Sequence, residues 1–207
     1  RGGHLLVFVD PNAEADRSGD DPNDPAAALA ADQSSNLPVL FKAWGVEFAS
    51  NEMVLDRQRA LTISRGPNQP PIRHPAILGL TAADMSTDDV VTAGLSTITM
   101  SSAGYFEMAN EAKTTLTPLL QSTTDASTVS ADPALLSGDP SVLLKDYKPS
   151  GPYVLAGRLT GKLVTAFPNR SDAGHLAEST DDAQIILVGD VHMLTDRMWA
   201  QVQEFFG

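Results

Sequence analysis

The sequence contains no cysteine among its 207 residues. This absence excludes disulfide bonds, thiolate metal sites and a cysteine nucleophile. Cations are scarce as well, since 14 Lys and Arg stand against 26 Asp and Glu and the formal net charge is −12. A surface that binds nucleic acid needs clustered Lys and Arg, so this balance argues against a nucleic-acid partner and against docking on an anionic membrane.

The sequence also lacks any long apolar run. No stretch approaches the ~18 consecutive apolar residues that a helix needs to cross a bilayer. The length of 207 residues and a hydrophobic content of 42% allow a substantial core. We expect a single domain over 1–207, with a flexible acidic loop at about 12–33 and a long connection at about 124–152. Because the chain opens on "RGGHLLVFVD", already in mid-strand, we expect it to be a fragment of a longer protein.

Apolar runs that feed polar segments are typical of an α/β fold. Buried strands are predicted at "HLLVFV", "LSTITMSS", "TTLTPLLQST" and "QIILVG". A helix is predicted at "SSNLPVLFKAWG", with Ser35 or Asn36 as its cap and Gly45 at its end, and another from about Thr195. We expect a mostly parallel sheet flanked by helices, with an added β-hairpin that turns at Thr160-Gly161.

Two carboxylates follow apolar strands near the two ends of the chain. Asp10 ends "LLVFVD", and Asp190 ends "IILVGD", with His192 two residues later. In an open parallel sheet both carboxylates lie at the carboxyl edge, where such folds place ligands. Ser122 and Thr123 lie at the end of another predicted strand, "TTLTPLLQST". We therefore group Asp10, Ser122, Thr123, Asp190 and His192 as a candidate ligand-binding cleft.

The stretch "GDVH" at 189–192 matches the opening signature of metallophosphatases, in which an Asp and a His at i and i+2 begin a two-metal site. The further ligands of that chemistry are missing, because only 15 residues follow His192 and they include one Asp and no His. The simpler interpretation is that Asp190 accepts backbone N–H groups at the start of the final turn and helix, as Asp commonly does. We predict no metal and no catalytic residue, and keep a phosphoesterase as the alternative.

Seven stretches, in order along the chain, resemble one protein family. They are "RGGHLLVFVDP", "SNLPVLFKAWGVEF" followed by "VLD", "HPAI", "TLTPLLQST", "YVLAGRLTGKLVTAFP" and "ILVGDVHMLTDRMW". The set resembles the auxiliary, substrate-binding-like component of an uncharacterised ABC-type transport system, in the group that includes gliding-motility-associated ABC transporter subunits. Members of that family usually carry a residue of Ser-Asp type after the "GD", so "GDVH" is a local departure.

The resemblance implies an extracytoplasmic domain on the periplasmic face of the inner membrane, with a class I glutamine amidotransferase-like (flavodoxin-like) fold. Transmembrane helices outside this chain would anchor it, and its partners would be an ABC permease and an ATPase. The family has no established catalytic residues, and the amidotransferase nucleophile is a cysteine, which this chain lacks.

We therefore expect a non-enzymatic accessory or ligand-binding domain that has no cofactor and takes an unidentified small ligand. Two alternatives stay open. One is a metal-dependent phosphoesterase-like hydrolase that uses Asp10, Asp190 and His192. The other is a protein-interaction scaffold, which differs from a ligand-binding domain in having no open polar cleft.

Overall fold

The computed structural model describes residues 3–16, 32–64, 69–136 and 138–198. These residues form eleven strands and two short α-helices. The strands are β1 (His4–Phe8), β2 (Val46–Phe48), β3 (Glu52–Asp56), β4 (Ala60–Ile63), β5 (Ile72–Thr81), β6 (Thr97–Ser101), β7 (Phe106–Met108), β8 (Thr115–Gln121), β9 (Ala126–Ser130), β10 (Val154–Gly161) and β11 (Ala183–Val188). The helices are α1 (Pro38–Trp44) and α2 (Pro133–Leu136), and 3₁₀ turns lie at Ala82–Asp84, Pro140–Leu144, His192–Leu194 and Asp196–Met198.

The largest sheet has six strands. β1 pairs in parallel with β11, β10 lies antiparallel to β11, and β7 and β8 both pair antiparallel with the other side of β10. β2 extends the sheet beyond β7. Since β8 and β11 are both antiparallel to β10, the carboxyl ends of β1, β8 and β11 share one edge of the sheet. β3 pairs with β9, and β4, β5 and β6 form a third, antiparallel sheet.

The predicted helix-flanked parallel α/β fold, and with it the amidotransferase-like and flavodoxin-like architecture, is wrong. Within the described residues β1–β11 is the one parallel pair, and the α-helices have seven and four residues, too few to cover a sheet. Each parallel neighbour needs a crossover of a dozen or more residues, usually a helix. The connections here are rich in Gly, Pro, Asp and Ser, which favour turns and bring successive strands back antiparallel.

The predicted hairpin at Thr160-Gly161 is also wrong. β10 ends at Gly161, where φ is 120°. In the described chain the residues that follow do not pair with β10, and Val164 instead forms a bridge with Glu178. β10 pairs instead with β8, which precedes it in the sequence, and with β11, the next strand along the chain. The alternating pattern therefore belongs to one central strand rather than to two arms of a hairpin.

The four strands predicted from apolar runs are confirmed as β1, β6, β8 and β11. The 124–152 segment contains β9, α2 and a 3₁₀ turn. Most of the acidic loop, 17–31, and the last nine residues of the predicted final helix, 199–207, lie outside the described residues. No helix in the described ranges is long and apolar enough to span a membrane.

Helix α1 packs on one face of the six-stranded sheet. It buries Phe41 and Trp44 and, as predicted, ends at Gly45, which has a left-handed conformation with φ 71°. The ring of Phe41 meets that of Phe106 edge-on, with 6.1 Å between the centroids. The predicted side-chain cap is wrong, because Leu37 occupies the N-cap position and no side chain bonds to the first turn.

The opposite face of this sheet packs against the β4–β5–β6 sheet. Val188 of β11 and Ala156 of β10 lie in one cluster with Leu78 and Leu80 of β5 and Met100 of β6. Alternate residues along β11 face α1 and this second sheet in turn, as the two-residue period of a strand requires. The packing brings the end of β6 beside the ends of β1 and β11.

Candidate functional site

The parallel pairing of β1 and β11 brings Asp10 and Asp190 together. The last paired residues are Phe8 and Val188, and each carboxylate stands two residues further on. Gly189 lies between, and a Cβ atom there would come within 2.6 Å of a backbone carbonyl oxygen of Gly104. The glycine before Asp190 is therefore required by close backbone packing, which lets the turn after β11 carry Asp190 toward β1.

Three fully buried side chains meet at this point. Nδ1 of His192 lies 3.2 Å from Oδ2 of Asp10 and 3.1 Å from Oδ1 of Asp190. All three side chains have an exposed fraction of 0%. We call Asp10, Asp190 and His192 the carboxylate–histidine cluster. Their nearest ligand atoms all lie within 4.8 Å of one another, which is close enough for them to share one metal ion.

Every carboxylate oxygen in the cluster accepts a backbone N–H. Asp10 accepts from Asn12 at 2.7 Å and from Val191 at 2.8 Å. Asp190 accepts from His192 at 2.6 Å and from Ser101, the last residue of β6, at 2.8 Å. Asp10 thus ties the end of β1 to the turn after β11, and Asp190 ties that turn to the neighbouring sheet. This full set of donors compensates the loss of water around both carboxylates.

The imidazole of His192 is held at both of its nitrogens. Nε2 accepts the backbone N–H of Glu14 at 3.1 Å. Accepting this N–H needs the lone pair of Nε2, so the proton of the neutral ring lies on Nδ1, from which it is donated to the carboxylates. A metal bound at Nδ1 would have to displace that proton and would leave Nε2–H facing the Glu14 N–H. The arrangement is therefore a hydrogen-bonded network, and it is poorly suited to a metal.

The electrostatic environment of the cluster raises the pKa values of His192 and Asp10. Burial lowers the pKa of His192, but the hydrogen bonds and charges of Asp10 and Asp190 outweigh this effect and raise the pKa to about 10. Burial raises the pKa of Asp10, against the hydrogen bond from His192, and the charge of Asp190 raises it further. Together these shifts hold an additional proton within the cluster of Asp10, Asp190 and His192.

Ser122 and Thr123 lie at the same edge of the sheet but are separated from Asp190 by β10. Oγ of Ser122 accepts the backbone N–H of Tyr153 at 2.8 Å. The backbone N–H and Oγ1 of Thr123 both donate to the carboxylate of Asp56, at 2.7 and 3.1 Å. The structure thus brings Asp10, Asp190 and His192 together and places the two hydroxyl residues in a different set of contacts.

An open cleft lies beside Ser122 and Thr123. Its volume is about 510 Å³, and an ion pair between Arg59 Nε and Asp84 Oδ2, 2.6 Å apart, stands at its wall. Burial raises the pKa of Asp84, but the hydrogen bond from Arg59 and those from Thr81 more than offset it, so the carboxyl titrates below its usual range. The described lining residues are Arg59, Ala83, Asp84, Met85, Ser86, Pro118, Leu119, Gln121, Ser122, Thr123, Thr124 and Pro152.

Comparison with known proteins identifies the family. A family model described as "ABC-type uncharacterized transport system" matches residues 1–207. The chain belongs to this family. No curated protein and no solved structure matches it. As a member of the ABC transport auxiliary family, the protein is an auxiliary component of an ABC transport system, and that system is membrane-associated.

Sequence reasoning missed one buried carboxylate of this auxiliary protein. Asp56 has an exposed fraction of 0% and accepts backbone N–H groups from Gln58, Arg59 and Thr123. The signal was present, since Asp56 ends the buried strand β3 just as Asp10 and Asp190 follow theirs. The Glu14 and Ser101 contacts left no such signal, because backbone donors from distant segments have no residue pattern of their own.

Proposed function

We propose that this protein is a non-enzymatic, extracytoplasmic accessory domain that works in a complex with the permease and the ATPase of its ABC transport system. The match of the family model over residues 1–207 carries the proposal. The periplasmic position, the gliding-motility-associated subgroup and the substrate-binding-like character come from the sequence resemblance and belong to the same proposal. Segments outside this chain would supply the membrane anchor.

The geometry of the carboxylate–histidine cluster supports a non-enzymatic role. A catalytic acid, base or metal ligand must reach its substrate, whereas Asp10, Asp190 and His192 are fully buried and line none of the described cavities. Each carboxylate oxygen already holds a backbone donor. The cluster joins the six-stranded sheet to the β4–β5–β6 sheet, which indicates a structural role.

The cleft beside Ser122 and Thr123 supports binding of a small ligand. It combines apolar surface from Met85 and Leu119 with the charged Arg59–Asp84 pair, which is the usual make-up of a small-molecule site. Of the five residues predicted to form a ligand-binding cleft, we therefore propose that only Ser122 and Thr123 line it. Asp10, Asp190 and His192 would act in this proposal only by fixing the sheet edge from which the cleft is built.

The proposal is tested by purifying the tagged full-length protein from its native membranes in mild detergent and identifying what accompanies it by mass spectrometry. We expect a permease and an ATPase in constant proportion to the tagged protein. A control ABC complex, carried through the same solubilisation, shows whether such assemblies survive. Recovery of the control complex without any transporter subunit on this protein would overturn the proposal.

A metal-dependent phosphoesterase is the second candidate, because the ligand atoms of Asp10, Asp190 and His192 converge. The buried network and the Nδ1–H form of the ring oppose it. Elemental analysis of the purified protein, after incubation with Mn, Fe or Zn and removal of excess, distinguishes the two. We expect far less than one metal per chain and no hydrolysis of a phosphomonoester. Stoichiometric metal that disappears in His192→Gln would favour the hydrolase instead.

A further inference from the structure

A second cavity lies at the opposite edge of the six-stranded sheet, where β8 begins and β10 ends. Its volume is about 320 Å³. The end of α1, the turn between β7 and β8, and the residues after β10 form its walls. The described lining residues are Lys42, Ala43, Trp44, Gly45, Ala109, Asn110, Glu111, Ala112, Lys113, Thr114, Lys162 and Val164. We call it the lysine pocket.

The charges of this pocket differ from those of the chain as a whole. The protein has a net charge of −12 and five lysines, and three of the five, Lys42, Lys113 and Lys162, line this one cavity. They come from three separate segments, so their convergence is a product of the fold. Glu111 is the single carboxylate among the described lining residues. The lining therefore carries a local excess of positive charge in an acidic protein.

The three lysines have no ion-pair partner among the described residues, although they are exposed. Three arginines elsewhere in the described chain behave differently. Arg59 and Arg158 each hold an aspartate at 2.6 Å, and Arg57 holds Asp125 at 2.7 Å. In a chain with 26 acidic residues, lysines that find no ion-pair partner among the described residues around one cavity are available to an anion from outside.

The backbone of the pocket is fixed before any ligand arrives. Oγ1 of Thr114 donates to the carbonyl of Trp44 at 2.6 Å, and the N–H of Ala109 donates to the carbonyl of Gly45 at 3.0 Å. These bonds join the end of α1 to the β7–β8 turn. A cavity whose walls are already in place loses little conformational entropy when it binds a ligand.

We propose that the lysine pocket binds a compact anion that carries phosphate groups. Ammonium groups act as point charges that suit the several oxygens of a phosphate. A carboxylate is matched best by the fork of an arginine, and the described lining residues include none. A cavity of about 320 Å³ holds a small molecule. The net charge of −12 repels extended polyanions such as nucleic acid and anionic bilayers, and this repulsion favours a compact ligand.

The test is titration of the purified protein with inorganic pyrophosphate and inorganic phosphate, by calorimetry and by NMR of the backbone amides. We expect saturable binding, with shifts at Lys113 and Thr114. Lys113→Gln and Lys162→Gln should each weaken pyrophosphate binding by about tenfold, because each removes one charge-assisted contact. Glu111→Gln should strengthen binding, since it removes the one described carboxylate of the lining.

Matched controls lie elsewhere in the same chain. Lys145→Gln and Lys148→Gln remove the same charge outside the pocket and should leave binding unchanged. Equal losses in the control and pocket variants would overturn the proposal, as would no binding at millimolar pyrophosphate. Binding to vesicles of anionic phospholipid but not to pyrophosphate would also overturn it in favour of a membrane surface. The measurement needs no transporter subunit, so its failure is distinct from failure of the accessory role.

Discussion

The two edges of the six-stranded sheet use charge in opposite ways. At one edge Asp10, Asp190 and His192 are fully buried, and each polar atom has a partner. At the other, Lys42, Lys113 and Lys162 line an open cavity and have no ion-pair partner among the described residues. A motif search selects the first edge, since "GDVH" has the spacing of a metal site. These contacts indicate that the first edge holds the fold together, and those among the described residues support the proposal that the second edge binds a ligand.

Removal of Asp190 is expected to have the largest effect on stability. Asp190→Ala would leave the N–H groups of Ser101 and His192 without their acceptor and would remove one charge from a buried pair. Breaking a buried ion pair from one side costs about 3–5 kcal/mol of unfolding free energy. Urea denaturation followed by circular dichroism measures this loss.

The matched control for this prediction is Asp88→Ala, which removes an exposed aspartate from a loop. It should change the unfolding free energy by less than about 0.5 kcal/mol. If Asp190→Ala costs no more than Asp88→Ala, the cluster does not hold the two sheets together. The claim that this edge of the sheet stabilises the fold would then be wrong.

The pH dependence of stability should also originate at the cluster. The pKa of His192 is about 10 in the folded protein, against an ordinary value of 6.5, so the folded state binds a proton more tightly than the unfolded chain. This contribution is fully present below about pH 6.5 and declines as the pH rises through about 10. The raised pKa of Asp10 acts in the same direction.

Urea midpoints of the wild type and of His192→Gln, measured from about pH 6.5 to about pH 10, test this dependence. The wild type should lose stability steadily over the range, while the variant starts lower and changes less. Parallel curves for the two proteins would show that the proton resides elsewhere.

Replacement of Gly45, which lines the lysine pocket, should lower stability less than replacement of Asp190. Its φ of 71° disfavours a side chain, and a Cβ atom would approach the Cβ of Ala112 to 2.6 Å. Gly45→Ala should cost about 1–3 kcal/mol and weaken the attachment of the β7–β8 turn to α1. Gly94→Ala is the control, because a Cβ atom there meets nothing within 4 Å. Equal thermal stability of the two variants would contradict the view that the pocket wall is rigid.

Local patterns predicted the part of the site that depends on single strands. The apolar runs of β1 and β11 fixed where Asp10 and Asp190 stand, and the ending of both strands at one edge brought them together. The assignment of Ser122 and Thr123 to the same cleft assumed that strand ends at one edge are close. The interposed strand β10 separates them, because β8 and β11 pair with opposite sides of it.

Local sequence patterns could not predict the overall fold or the lysine pocket. Antiparallel pairing of β10 with β8 and β11 depends on which strands meet in three dimensions, and an apolar run alone does not encode its neighbour. Lys42, Lys113 and Lys162 are more than forty residues apart, and each by itself is typical of a solvated surface. Only the folded chain shows that they line one cavity.

The smallest expected effect on stability concerns these lysines. Replacing Lys42, Lys113 and Lys162 by Gln, one at a time, should change the unfolding free energy by less than about 0.5 kcal/mol each. The reason is that no described residue forms an ion pair with their side chains. Thermal denaturation at low and moderate salt measures the change, and the Lys145→Gln variant gives the reference. Near-zero cost to folding combined with a loss of pyrophosphate binding would show that these charges are kept for a ligand. A loss of stability comparable to that of Asp190→Ala would instead make both edges structural and remove the distinction between them.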